Sequence, residues 1–124
     1  DNGILSALDF SFSENLGKLL ENMIALELLK AEKLVYYFKN NVECDFIIQE
    51  KNKFIPIQVC FSLNNPDAKK REIKGLVAAC EFLNVNKGFI ITFDEENYEV
   101  INNYNIEVIP CYKFMIETIR RSKW

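Results

Sequence analysis

"ECDFIIQEKNKFIPIQVC", residues Glu43–Cys60, decides how this chain folds. Two short apolar runs flank the polar segment EKNK, the pattern of an antiparallel β-hairpin. Side chains alternate along a strand, so Glu43, Asp45 and Ile47 share one face, and Cys44, Phe46 and Ile48 the other. On the return strand, Gln58 and Cys60 share a face. With EKNK as the connection, Gln49 falls opposite Phe54, Asp45 opposite Gln58, and Glu43 opposite Cys60. All four polar side chains then point the same way, within cross-strand contact. A slip of one residue in register would scatter them.

Working outward, "SENLGKLLENMIALELLKAEK" reads as a helix from about Glu14 to Glu32, with Ser13 as its N-cap and a wide apolar face of Leu16, Leu19, Leu20, Met23, Ile24 and Leu28. Gly17 early in this helix reads as a point of close packing. "LVYYFK", 34–39, is a strand by composition. Strands are expected over Glu43–Gln49 and Phe54–Phe61. Pro66 then suits the first turn of a second helix, running to about Phe82, with Ile73, Leu76, Val77, Cys80 and Leu83 as its buried stripe. "GFIITF", 88–93, reads as a strand buried on both faces. "DEEN", 94–97, reads as a solvated loop. "IEVIP", 106–110, is a further strand, and a last helix follows Pro110 to about Arg120. This is a mixed α/β (α+β) arrangement with helices on the faces of a central sheet.

Length and composition suit one globular domain. The chain has 124 residues, 49% hydrophobic and 27% charged. Apolar runs fall short of the ~20 residues a bilayer span needs. Residues 1–12 read as a tether and 13–124 as the domain. The opening Asp1-Asn2-Gly3, without Met, reads as a fragment of a larger protein. A formal net charge of -3 argues against obligatory nucleic-acid binding. The chain contains no histidine, which excludes Ser-His-Asp and Cys-His catalysis and histidine-ligated zinc. Cys44, Cys60, Cys80 and Cys111 lack CxxC spacing and sit in apolar contexts. They read as reduced core thiols of a cytoplasmic protein.

The order "GKLLENMIALELL", "VYYFKNNVECDFII", "FIPIQVCFSL", "GFIITFDEE", "IEVIPCYKF" resembles a domain of unknown function found at the C-terminus of P-loop ATPases of bacteria and archaea. That domain is similar to the PD-(D/E)XK nucleases, and the likeness covers about Phe12 to Phe114. It implies a restriction-endonuclease-like αβββαβ core. On the nuclease pattern, Glu21 matches the acid of the first helix, Asp45 the metal-binding Asp, and Glu43 a further acid beside it. The acid of acid-x-Lys falls on Gln58, and the catalytic Lys on Cys60.

Two departures follow. Gln58 offers a neutral carbonyl where Mg²⁺ favours a carboxylate. Cys60 supplies no positive charge for the scissile phosphate, a loss worth ~10²–10³ in rate. The resemblance therefore implies an accessory domain with a degenerate site and no nuclease activity. Glu21, Glu43 and Asp45 remain candidate Mg²⁺ ligands. ATP would bind only in a preceding ATPase region, since no GxxxxGK[ST] occurs here. That region, a protein partner or DNA are the expected partners; no membrane is expected, and an oligomer is compatible. The alternative is an active Mg²⁺-dependent DNA nuclease with a relocated lysine, from Lys69, Lys70 or Lys74. Lys69, Lys70, Arg71 and Lys74 could also touch phosphates, as could Arg120, Arg121 and Lys123. A third reading has Glu21, Asp45 and Gln58 simply hydrogen-bonding across a helix–sheet junction.

Overall fold

A computed structural model of the chain describes residues 2–121, with side chains over 12–117. Helix α1 spans Asn2–Lys30, followed by strands β1 (Leu34–Asn40), β2 (Val42–Glu50) and β3 (Lys53–Val59). Helix α2 (Pro66–Leu83) leads to β4 (Lys87–Thr92), β5 (Asn97–Ile101), β6 (Tyr104–Pro110) and α3 (Cys111–Arg121). The expected αβββαβ order is present. The sheet has six strands in the order β1-β2-β3-β4-β6-β5. Strands β3, β4 and β6 run parallel; the β1–β2, β2–β3 and β5–β6 pairs are antiparallel.

The central hairpin has the expected register, with Gln49 opposite Phe54. Glu50 and Lys53 also pair, so the turn itself is Lys51-Asn52, with Lys51 at φ 57°. Pairing of β2 with β3 runs from Glu50/Lys53 only as far as Phe46/Ile57. Beyond that the strands part, while β2 stays paired with β1 back to Val42.

Two apolar layers hold the fold. On one face of the sheet, Leu20, Ile24 and Leu28 of α1 and Phe114 of α3 pack on Ile48, Ile57, Val59, Ile91 and Ile109. On the other, Leu76, Ala79 and Cys80 of α2 are buried over Cys44, Ile47, Ile90, Ile106 and Val108. Alternation along strands covered on both faces divides them between the layers. The exception is β2, where the register against β1 shifts between Tyr36/Ile47 and Phe38/Cys44. Cys44 therefore packs on the α2 side with Ile47, not with Phe46 and Ile48 as expected. Helix α2 starts where expected: Pro66 is its first residue, and the Asn65 side chain accepts the N–H groups of Asp67 and Ala68. It stops at Asn84, which adopts the left-handed conformation that suits a C-terminal cap.

The elements depart from expectation in three places. Helix α1 begins at Asn2 rather than near Glu14, because nothing between them breaks a helix and Ser13 lies inside it without acting as a cap. Strand β5 is additional to the expected strands; its residues are mostly exposed on a sheet edge and lack an apolar alternation. Its signal was the Asn102-Asn103 pair, both at positive φ (50° and 71°), the chemistry of a two-residue hairpin turn. The segment 94–97 is more than solvated loop. Both carboxylate oxygens of Glu95 accept the Leu63 N–H, at 3.1 and 3.2 Å, which ties the segment to the β3–α2 connection. Among the described residues, no helix is long and apolar enough to cross a membrane.

Candidate functional site

The parting of β2 and β3 creates the site. Gln58, at the end of β3, is only 2% exposed, and its amide fills the gap. Its Nε2 donates to the carbonyls of Glu43 (2.8 Å) and Glu72 (3.1 Å). Its Oε1 accepts the Asp45 N–H at 2.9 Å. One side chain thus replaces the missing rungs of the ladder and joins β2 to α2. The Asp45 carboxylate does the same from the other strand, accepting the Val59 N–H through Oδ2 at 2.7 Å. The facing of Asp45 and Gln58 is therefore real, but it is spent on backbone groups.

Helix α2 can approach this joint because position 75 is glycine. A Cβ there would lie 2.0 Å from the Glu43 carbonyl oxygen and 2.5 Å from Gln58 Nε2. Gly75 was not singled out from the sequence. Its signal was its place on the same helical face as Leu76 and Ala79.

The expected pairing of Glu43 with Cys60 does not form. The strand ends at Val59, one residue before Cys60, and the Cys60 N–H turns to the Ile91 carbonyl (3.0 Å). Two clefts result, one on each side of the joint. One, of about 530 Å³, is lined by Glu43, Gln58, Lys70 and Lys74. The other, of about 670 Å³, is lined by Glu21, Cys60, Phe61 and the start of α2. Asp45, Arg71 and Glu72 line both and form the wall between them.

That wall is acidic and half-dry. Burial, aided by Glu21 and Glu43 and opposed by the Val59 N–H and Arg71, pushes the Asp45 carboxyl up to about 7. Burial, then the Asp45 charge, pushes Glu72 up to about 7, and Arg71 opposes. Glu21 is raised for like reasons, burial first and Glu43 second. Glu72 belongs to the cluster, although it was not among the candidates from the sequence. It stands one turn before Leu76, which marks it as facing inward. Arg71 supplies the countercharge, 3.7 Å from Glu72. Of the lysines, Lys69 is turned away and paired with Glu99 of β5 at 3.1 Å. Lys70 and Lys74 stay in the smaller cleft with Asp45. The side chains of Arg120, Arg121 and Lys123 lie outside the described residues.

This arrangement does not match the ligand set that the resemblance implies for Mg²⁺, which needs several oxygens free and gathered at close range. One Asp45 oxygen and the Gln58 carbonyl are already hydrogen-bonded. Glu21 and Glu43 line different clefts. Among the described residues, no three His, Cys, Asp or Glu side chains are grouped to hold a metal ion. Cys60 brings no charge: burial first, then the nearby carboxylates of Glu72, Glu95 and Asp45, push its thiol far above the ordinary range. Cys44, buried and donating to the Phe46 and Ile57 carbonyls, is pushed up to about 12. All four cysteines are free thiols.

The fold is a six-stranded mixed sheet between helical layers, carrying at its splayed hairpin a polar joint flanked by two clefts. Residues 16–114 match the model of DUF4143, a domain of unknown function, and the chain belongs to that family. It is 40% identical over 118 residues to the uncharacterized protein MJ1544 of Methanocaldococcus jannaschii. That match takes in 86% of this chain and 26% of the relative, so the chain spans about a quarter of that protein's length.

Proposed function

We propose that this domain is a non-catalytic accessory module of a longer P-loop ATPase, built on a nuclease-like frame whose site has become a structural joint. The observation that carries this reading is the Gln58 amide. Both its donors and its acceptor are engaged by Glu43, Glu72 and Asp45 at the position where a metal-binding acid would stand. Cys60, at the position of the lysine, is a neutral thiol. The short span relative to the archaeal protein supports a module of a larger polypeptide. The module works by contact, and the balance of charge favours a protein surface over nucleic acid. Lys69 and Arg71, two of the four cations that α2 offers to a phosphate, are matched by Glu99 and Glu72.

The test is a nicking assay on supercoiled DNA with Mg²⁺ or Mn²⁺, run beside calorimetric titration of the same ions, with Asp45→Ala as control. Neither nicking nor ion binding above the control is expected. Nicking that Asp45→Ala abolishes would favour the active nuclease instead, with Lys70 or Lys74 in the Asp45 cleft serving as the displaced lysine. For the ATPase assignment, the ATP hydrolysis rate of a full-length family member should be measured with and without this domain. Lack of any ATPase activity in the full-length protein would remove it.

A further inference from the structure

We draw no further inference here: the strongest candidate, the exposed apolar row of Phe12, Leu19, Met23 and Leu26 along the outer face of α1, carries nothing because nothing in the structure shows what covers it.

Discussion

Gln58 shows how one buried amide can hold a splayed hairpin to a helix. An ionised glutamate there would still accept the Asp45 N–H, but it would present negative oxygens to the Glu43 and Glu72 carbonyls. The neutral amide donates to both. Gln58→Ala strands a buried N–H and leaves two carbonyls short of a donor, so a loss of about 3 kcal/mol is expected in urea unfolding. A change within a few tenths would mean that water replaces the amide. The acids beside it make stability depend on pH. Asp45 and Glu72 have folded values of about 7, against ordinary values of 3.8 and 4.5. The folded state therefore holds their protons more tightly than the unfolded chain does. Their contribution is complete below about pH 4 and is lost as pH rises through about 7. The melting temperature should fall between about pH 4 and 7 and level off above that. Asp45→Asn keeps an acceptor for Val59 and discards the charge; at about pH 8 it should be more stable than wild type by about 1–2 kcal/mol, with a flatter profile. Destabilisation by Asp45→Asn at that pH would contradict the account.

At the scale of elements, two glycines on two helices carry opposite expectations. Gly75 sits where α2 crosses the β2 backbone, and the atom blocking a Cβ is a main-chain carbonyl that cannot swing aside. Gly75→Ala should cost about 3 kcal/mol despite the better helix propensity of alanine, because α2 must lift from the joint. Gly17 was expected to mark close packing, yet a Cβ there would meet only the Phe61 nitrogen at 3.6 Å, an ordinary contact. Gly17→Ala should accordingly stabilise the domain by roughly 0.5–1 kcal/mol. Parallel chemical denaturation of the two variants checks both signs at once. Equal destabilisation would mean that α1 is seated more tightly than its contacts show.

At the scale of the whole molecule, the sheet separates two cores that must be filled independently. Phe114 is the large fully buried side chain that α3 contributes to the α1 side. Phe114→Ala should cost about 3–5 kcal/mol, whereas Ile90→Val on the α2 side should cost about 0.5–1.5 kcal/mol. Thermal melts with a two-state fit rank the pair, and a reversed ranking would mean that α3 is dispensable to the core. The joint at Gln58 lies where both layers and the hairpin meet. Its disruption should therefore lower the unfolding free energy of the entire domain and not merely fray an edge.

The sequence by itself determined the local units. Period-two and helical spacings marked most elements, and the match of Gln49 to Phe54 set the hairpin register, because neighbours along the chain decide these features. Pro66 announced the start of α2 for the same reason. The nature of the site was settled only in three dimensions. Whether Asp45 and Gln58 bind an ion or backbone groups depends on where β2 and β3 part, and that depends on how closely α2 can descend at Gly75. Glu72 and Arg71 join the cluster for the same reason, far along the chain from Asp45 yet brought to it by the docking of α2. Strand alternation sets which way a side chain points wherever the register is unbroken, but the partners and burial that set its charge come from elements distant in sequence.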